Sequence, residues 1–251
     1  MKASTAGGFW ETARTVIYAV LIALFIRTVA FEPFNIPSGS MIPTLLVGDY
    51  LFVSKYSYGY SRYSLPLGLP LIPGRILESM PDRGDVAVFK LPSDNKTDYI
   101  KRIIGLPGDR IQMRRGRLYI NGKIVQRERV EDFVEHTDDG RIGRVAQYIE
   151  TLPNGRKHRI LEITDNGPLD STNVYTVPPR HYFAMGDNRD NSLDSRVPNR
   201  TGMGGVGYIP AENLVGRAEI LFFSTDGGAR LWEIWKWIGA MRFDRFLQAV
   251  R

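Results

Sequence analysis

The sequence contains no cysteine and only three histidines. The lack of cysteine excludes disulfide bonds, a thiolate nucleophile and cysteine-based zinc sites. An HExxH metalloprotease helix, a GxSxG nucleophile turn and a Walker phosphate loop are also absent. Because His136, His158 and His181 are scattered along the chain, a Ser-His-Asp triad is poorly supported. If the protein is a hydrolase, its nucleophile is therefore not a thiol. The scattered histidines also do not favour an imidazole as its base.

The remaining composition is typical of a folded protein. The chain has 251 residues, of which 43% are hydrophobic, 11% aromatic and 24% charged, enough for one large domain or two small ones. The net charge of +6 is compatible with nucleic acid or anionic lipid as a partner and selects neither. Lysines and arginines are dispersed and form no RNP, helix-turn-helix or zinc pattern, so we expect no nucleic-acid partner.

One strongly apolar segment lies near the N-terminus. Residues Thr15 to Ile26 carry no charge, and Arg14 and Arg27 bracket them. The segment reaches the roughly 20 residues of a bilayer span if it is extended from Trp10 to Phe31, with aromatic residues at both interfaces. We expect a single-pass membrane anchor. A cleaved signal peptide and a buried core helix stay open as alternatives. Lys2 and Arg14 favour a cytoplasmic N-terminus and an exported body.

Beyond residue 34 the pattern predicts strands. Asn121-Gly122 separates two apolar runs, which is a strong hairpin signal because both residues tolerate positive φ. No long helical period occurs between residues 46 and 225, and residues 57–80 predict an extended loop or hairpin. Strands are expected in nine runs: Tyr50–Val53, Val86–Phe89, Tyr99–Ile104, Leu118–Ile120, Lys123–Val125, Gln147–Thr151, Arg159–Thr164, Tyr182–Met185 and Gly216–Phe223.

These patterns predict a mainly β fold, in which a transmembrane helix precedes an all-β body of partly open barrel or coiled sheets. Residues 1–33 would form the cytoplasmic tail and anchor. Residues 34–112 and 181–251 would form the core of the body, and the more polar residues 113–180 an inserted smaller β-unit. Near the C-terminus, apolar residues at helical spacing predict an amphipathic helix that packs on the body or touches lipid: Leu231, Ile234, Trp235, Ile238 and Met241.

The acidic run Asp187–Asp194 only superficially resembles a calcium loop. It lacks the mid-loop glycine and the terminal glutamate, and Arg189 stands where a ligand should be. We therefore expect no metal and no other cofactor.

Lys101 is the best candidate for a base. It lies in an apolar strand, where alternation places it on the same face as Tyr99 and Ile103. Burial among apolar groups can lower a lysine pKa by several units, so the amine can activate a serine without histidine. On the strand alone, a lysine whose amine simply reaches water is the competing interpretation.

Four blocks of sequence, in order, resemble the type I signal peptidases, the membrane-bound Ser-Lys leader peptidases of bacteria, and among these a Gram-negative type. The first block is Pro37–Leu45, which Gly48-Asp49-Tyr50 follows. The others are Arg83–Phe89, Asp98–Asp109 and Gly186–Arg196. They cover about a quarter of the chain, and residues 113–180 match nothing in the family pattern that we can map.

The resemblance implies a role for each matching residue. Ser40 is the expected nucleophile, and Lys101 is the expected general base. The hydroxyl of Ser38 and the backbone N–H of Ser40 are the expected oxyanion hole. Ser192 would orient the lysine amine. The supporting residues would be Gly186, which leaves room beside the lysine, and the ion pair of Asp194 with Arg196.

The resemblance also implies a substrate groove that accepts small side chains at the first and third positions before the cut. The peptide would bind as an added strand beside Asp98 and Tyr99. The expected lining residues are Phe34, Ile36, Pro37, Met41, Leu45, Val88 and Ile100.

The implied function is removal of signal peptides from exported preproteins, after an Ala-X-Ala-like site, by a peptidase of the inner membrane whose catalytic body lies on the periplasmic side. The expected partners are preproteins and the lipid bilayer. A specialised Ser-Lys peptidase that matures a secretion or conjugation substrate is the alternative within the same chemistry. A catalytically inactive, membrane-anchored binding protein is the alternative from another class.

Overall fold

The computed structural model describes residues 5–65, 68–136, 142–199, 204–227 and 238–251. Helix α1 comprises Thr5–Val29. The strands, in chain order, are β1 (Phe31–Asn35), β2 (Asp49–Ser54), β3 (Tyr60–Ser61), β4 (Arg75–Ile76), β5 (Val86–Lys90), β6 (Asp98–Gly105), β7 (Arg110–Arg114), β8 (Arg117–Ile120), β9 (Lys123–Ile124), β10 (Gln126–Arg129), β11 (Phe133–His136), β12 (Ile142–Thr151), β13 (Lys157–Glu162), β14 (Tyr175–Thr176), β15 (His181–Met185), β16 (Ile209–Pro210) and β17 (Leu214–Ser224). The predicted mainly β body behind an apolar helix is confirmed.

Helix α1 stands clear of the β body. Its segment Phe9–Val29, 21 residues, is long and apolar enough to cross a membrane, and none of it is buried. At about 1.5 Å per residue it spans roughly 30 Å, the thickness of a bilayer core. The end of the helix is tied to the body, because Tyr60 donates a hydrogen bond to the Val29 carbonyl at 2.8 Å and Glu32 pairs with the buried Lys55 at 2.8 Å.

A seven-stranded antiparallel sheet forms the main body, in the order β1-β2-β17-β5-β6-β15-β16. Strand β17 carries register shifts against both of its neighbours, and such bulges bend a sheet. Strand β1 was not among the strands that we predicted. Its sequence FEPFN contains a proline, which is tolerated there because β1 is an edge strand.

Two four-stranded sheets and a short hairpin complete the fold. One sheet has the order β14-β7-β8-β9, and the other is built on β12, which pairs with β10, β11 and β13. Asn121 and Gly122 form the predicted two-residue turn between β8 and β9, both with positive φ. For residues 57–80 we expected an extended loop or a hairpin, and the antiparallel β3–β4 pair within them agrees with the second. All nine predicted runs overlap observed strands.

Three apolar clusters fill the space around the sheets. One, under β1, β2, β5 and β17, contains Ile36, Met41, Leu45, Leu51 and Val88 among its members. A second packs around Phe89, Ile103 and Ala184. The third joins Ile104 and Phe183 of the main sheet to Ile111 and Leu118 of the β7–β8 pair. The smaller sheet is therefore packed directly on the main one.

Part of the predicted C-terminal helix, including Leu231, Ile234 and Trp235, lies outside the described residues. Among the described residues of that pattern, Ile238 is exposed and Met241 forms an isolated bridge with Thr225.

Candidate active site

Ser40 lies in a single 3-10 turn, Gly39–Met41, just beyond strand β1. Reciprocal backbone contacts hold the end of β1 in place, because Ile36 donates to the Asp49 carbonyl at 2.8 Å and accepts from Gly48 at 3.0 Å. Met41 is fully buried below the turn and anchors it in the apolar core. The turn thus presents Ser40 from a fixed backbone, with its side chain largely shielded from solvent.

Lys101 of strand β6 reaches Ser40. Its Nζ donates a hydrogen bond to Ser40 Oγ at 2.6 Å, although the two residues are 61 positions apart in the chain. A second hydrogen bond, from Nζ to the Ile100 carbonyl at 3.0 Å, and the ring of Tyr99, whose centre lies 5.4 Å away, fix the position of the amine. The side chain is 4% exposed, so water contributes little to solvating the charge.

Burial lowers the pKa of Lys101 to about 8, although the negative charges of Asp194 and Asp187 act in the opposite direction. A lysine in water, with a pKa near 10.4, is almost wholly protonated at pH 8. At that pH about half of the Lys101 amines would be neutral. The site therefore supplies a nitrogen base within hydrogen-bonding distance of a serine hydroxyl.

A groove of about 700 Å³ opens over this pair. Its walls are mostly apolar side chains and the backbone of β1 and β6. The lining residues are Phe34, Asn35, Ile36, Pro37, Ser38, Gly39, Ser40, Ile42, Val88, Thr97, Asp98, Tyr99, Ile100, Lys101, Asn188, Asn191 and Leu193.

The groove runs along an unpaired stretch of β6. Strand β5 pairs with residues 98–102 of β6, whereas β15 pairs only with residues 102–105. On the β15 side, residues 98–101 therefore have no partner strand within the described part of the chain. A backbone edge of this kind can accept an extended peptide as an additional strand.

The loop of residues 186–196 braces the Ser40 turn from the other side. The backbone N–H of Asn188 donates to the Ser40 carbonyl at 3.1 Å, and its side-chain amide donates to the Gly39 carbonyl at 3.1 Å. Asp194 accepts from the Gly186 N–H at 3.0 Å and pairs with Arg196 at 2.9 Å, with both side chains fully buried. These contacts connect the predicted supporting residues to the nucleophile turn.

A buried charge network lies directly behind the pair. Arg102, next in the chain to Lys101, makes two hydrogen bonds to Asp187, at 2.8 and 2.7 Å. Thr44 donates to the same carboxylate at 2.5 Å. Glu150 pairs with Arg189 in the same network. His158 lies between the carboxylates of Glu150 and Asp187, 3.4 and 4.0 Å from them. These are the residues that sequence reasoning left without a role, although Arg102, Asp187 and Arg189 stand within the quoted blocks.

The sequence of the chain also matches a known protein family. The family model described as signal peptidase, peptidase S26, matches residues 9–223. The chain belongs to this family. It is 44% identical to the signal peptidase I of Rickettsia conorii over 216 residues, covering 83% of this chain and 77% of the relative. The Rickettsia typhi signal peptidase I is also 44% identical, with 83% and 78% covered. A crystal structure of a signal peptidase I from Enterococcus faecalis matches at 23% identity and a TM-score of 0.31, covering 55% of this chain and 97% of that one.

Most residues that the peptidase S26 pattern implied as lining fall on the groove. Phe34, Ile36, Pro37, Val88, Asp98, Tyr99 and Ile100 all line it. Met41 and Leu45 do not. Both are fully buried in the apolar cluster beneath the groove, where they support the wall and do not form its surface.

Ser38 and Ser192 differ in their surroundings. Ser38 is exposed on the groove wall, next to the nucleophile turn. Ser192 is buried against Gly186, where a side chain would not fit, and its hydroxyl has no hydrogen-bond partner within the described residues. In this structure the lysine amine is held by Ser40 and the Ile100 carbonyl.

The histidines that are described lie away from the groove lining. His158 is buried, 3.4 Å from Glu150, and His181 contacts the Pro179 carbonyl. Burial and the nearby charge of Arg102 hold the pKa of His158 below its usual value, so it is neutral in the buried network. The side chain of His136 lies outside the described residues.

Proposed function

We propose that this chain is a membrane-bound serine endopeptidase that removes N-terminal signal peptides from exported preproteins. The observation that carries the proposal is the 2.6 Å contact of Lys101 Nζ with Ser40 Oγ at the floor of a peptide-sized groove. Membership of the peptidase S26 family supports the same reaction.

In the first step the neutral Lys101 amine takes the proton of the Ser40 hydroxyl while Oγ attacks the scissile carbonyl. The lysine then gives that proton to the leaving amine as the C–N bond breaks, which leaves an acyl-enzyme on Ser40. In the second step the neutral amine activates a water that hydrolyses the ester and regenerates the serine. This is the Ser-Lys form of nucleophilic catalysis.

The negative charge that develops on the carbonyl oxygen must be stabilised by hydrogen-bond donors. We assign this role to the Ser38 hydroxyl and the Ser40 N–H, because both lie in one short segment at the groove wall. Loss of one such donor typically slows the chemical step roughly 100- to 1,000-fold. As the resemblance implied, we assign Ser192 to orienting the lysine amine and Gly186 to leaving room beside it. We assign the ion pair of Asp194 with Arg196 to bracing the loop.

The groove supports selection of small side chains. Its lining by Phe34, Ile36, Val88 and Ile100 favours apolar groups and disfavours charge. The free edge at residues 98–101 can hold the peptide backbone in an extended conformation, so that alternate side chains face the wall. Such a groove fits an Ala-X-Ala-like site, with the cut after the second alanine.

We place the enzyme in the inner membrane as a single-pass protein with its N-terminus in the cytoplasm and its β body in the periplasm. The segment from Phe31, the first residue of β1, to Ser40 comprises only ten residues, counting both. A helix in the bilayer would therefore hold the nucleophile near the membrane surface. The partners are then preproteins and lipid, without nucleic acid, and the reaction itself uses no cofactor or metal. The division into 1–33, 34–112 with 181–251, and 113–180 stays a prediction.

The test is cleavage of a purified preprotein with an Ala-X-Ala site, in detergent, by wild type, Ser40→Ala and Lys101→Met. We expect wild type to cut after the second alanine in the presence of a metal chelator, and both variants to be inactive while folded. A substrate with lysine in place of the alanine before the cut is the matched control, and we expect it to resist cleavage.

Three results would contradict the proposal in different ways. Near-normal activity of either variant would exclude the Ser-Lys mechanism. A folded wild type that ignores general preproteins but processes one secretion or conjugation substrate would favour a specialised maturation peptidase. Binding of signal peptides without any cleavage would favour an inactive binding protein.

A further inference from the structure

Three carboxylates outside the groove converge from three separate segments. Glu162 ends strand β13, Asp170 lies in the loop that follows, and Asp190 lies in the 3-10 turn Arg189–Asn191. One oxygen of each lies within 4.8 Å of the others. Glu162 and Asp170 are 2% and 1% exposed, so water does little to reduce their mutual repulsion.

In the described part of the chain, three carboxylate oxygens of this cluster lack hydrogen-bond partners of their own. Both carboxylate oxygens of Glu162 and Oδ1 of Asp170 are buried without a hydrogen bond within the described residues. Arg127 approaches Glu162 only to 3.7 Å, and its closer contact is Asp165 at 2.8 Å. Buried acidic oxygens without donors are costly unless something positive binds them.

The backbone fixes the orientation of two of the three acids. Asp190 Oδ2 accepts from the N–H groups of Ile163 and Thr164, at 2.6 and 3.1 Å, and Asp170 Oδ2 accepts from Gly167 at 2.5 Å. These bonds occupy one oxygen of each carboxylate and leave the second for another partner. The acids are therefore held in place before any ligand arrives.

We propose that Glu162, Asp170 and Asp190 form a binding site for a hard divalent cation, with Ca²⁺ as the best fit. All ligands are carboxylate oxygens, which Ca²⁺ and Mg²⁺ prefer and which do not select zinc or copper. Two ligands on opposite sides of Ca²⁺ stand at most about 5 Å apart, which accommodates the observed spacing. Mg²⁺ requires about 4.2 Å or less and near-ideal octahedral geometry.

The competing state is a proton shared by the acids. Burial, together with the negative charges of Asp170 and Asp190, raises the pKa of Glu162 to about 8, while Arg189 acts in the opposite direction. A protonated Glu162 would relieve the repulsion without any ion. The two states differ in what they predict for added calcium, so the experiment can separate them.

The position of the site gives the cation a structural role. Asp190 stands two residues before Ser192 and one after Arg189, whose guanidinium pairs with Glu150 of strand β12. The ion would therefore tie the loop after β13 to the 3-10 turn inside the loop of residues 186–196. From the sequence we expected no metal, because the contiguous run Asp187–Asp194 does not form a calcium loop. The proposed site departs from that expectation, because the fold assembles it from separate segments.

The experiment uses the full-length protein in detergent, stripped of metal with a chelator. Calorimetric titration with Ca²⁺ measures binding directly, and thermal unfolding is followed with Ca²⁺, with Mg²⁺ and with K⁺ at matched ionic strength. The variants are Glu162→Gln and Asp170→Asn. The control is Asp165→Asn, which removes the same charge from an acid beside Arg127 that is not part of the cluster.

We expect one Ca²⁺ per chain, with a Kd of roughly 10⁻⁴ to 10⁻³ M, as in extracellular calcium sites. At about 100-fold excess over Kd, the Tm should rise by about 5 °C or more in wild type and Asp165→Asn, and by much less in Glu162→Gln and Asp170→Asn. The absence of calorimetric binding to wild type would overturn the proposal in favour of the shared proton. This part of the test does not depend on the folding of any variant. Equal Tm shifts in Glu162→Gln and Asp165→Asn would overturn it in favour of nonspecific binding.

Discussion

Arg102 and Asp187 form a fully buried, bidentate ion pair, with nitrogen–oxygen distances of 2.8 and 2.7 Å. Arg102 follows Lys101 in β6, and Asp187 follows Gly186 at the start of the loop that braces Ser40. The pair therefore fixes the strand that carries the base relative to the loop that supports the nucleophile. Burial alone would raise the pKa of Asp187, but the charge of Arg102 outweighs it and holds the pKa below its usual value.

Asp187→Asn should destabilise the protein strongly, because it leaves the buried guanidinium of Arg102 without its counter-charge. Breaking a buried pair typically costs about 3–5 kcal/mol. The measurement is the free energy of unfolding of the detergent-solubilised protein from denaturant titration. Since the folded-state pKa of Asp187 is depressed, its contribution is present at neutral pH and should be lost as the pH falls through that lowered pKa.

The matched control for this prediction is Glu78→Gln. It breaks the pair of Glu78 with Arg180, whose guanidinium-bearing side chain is 56% exposed, and should cost about 1 kcal/mol or less. Equal losses in the two variants would mean that burial does not govern the strength of these pairs.

The pH profile of cleavage should show a single rising limb with a midpoint near pH 8. Lys101 must be neutral to accept the Ser40 proton, and its pKa is lowered to about 8. Below the midpoint, kcat/KM should fall about tenfold per pH unit, because the amine is protonated in the free enzyme. The measurement is kcat/KM on a soluble signal-peptide substrate between about pH 6 and 10. A rate independent of pH above about 6 would argue against an amine base.

Much of the fold and of this site could be predicted from the sequence, either from local backbone requirements or from the resemblance to a family. The Asn121-Gly122 turn was predictable because its backbone demands are local. The contact between Ser40 and Lys101 was expected only through the resemblance of the blocks that contain them, since nothing local places residues 61 positions apart.

The elements that were missed depend on distant contacts. Strand β7 (RIQMR) carries polar residues at alternate positions and becomes a strand between β14 and β8. Met41 and Leu45 were expected on the groove, but both pack into the apolar cluster of Ile36, Leu51 and Val88 and are fully buried. The Glu150–Arg189 pair connects strand β12 to the loop of residues 186–196, and no local sequence pattern indicates that contact.

Lys101→Met should abolish cleavage and yet leave the protein at least as stable as wild type at pH 7. The folded-state pKa of about 8 lies below the roughly 10.4 of a lysine in water, so the folded protein must hold a charged amine in a poorly solvated position at neutral pH. At about 1.36 kcal/mol per pKa unit, removing that charge stabilises by up to about 3 kcal/mol.

The same linkage gives wild type a distinctive pH dependence. Between the folded and unfolded pKa values, the unfolded state binds more protons, so stability should rise with pH from about 8 to 10.5. Lys101→Met should lack that rise. If the variant is several kcal/mol less stable than wild type at pH 7, then the amine stabilises the fold, and its loss of activity cannot be assigned to chemistry alone.

Gly186→Ala should slow cleavage by more than an order of magnitude, because the added methyl group has no space. It would stand 2.5 Å from both the Ser40 carbonyl oxygen and Ser192 Cβ, and closer still to Ser192 Oγ. The carbonyl belongs to the nucleophile turn itself, so the turn or the loop must move to admit it. A misplacement of about 1 Å near reacting atoms can cost roughly 100-fold in rate. The measurement is kcat, together with the Tm of the variant.

Gly239→Ala is the matched control for that substitution. Among the described residues, a methyl group added at Gly239 meets nothing within 4 Å. Neither glycine has a positive φ, so backbone strain does not distinguish the two. We expect kcat and Tm of Gly239→Ala to equal those of wild type. Gly186 follows strand β15 and precedes Asp187, which pairs with Arg102. A loss of Tm with unchanged kcat would show that the close packing at Gly186 matters for stability and not for the placement of Ser40. A loss of kcat in a variant that keeps most of its Tm would instead assign the glycine to the geometry of the nucleophile.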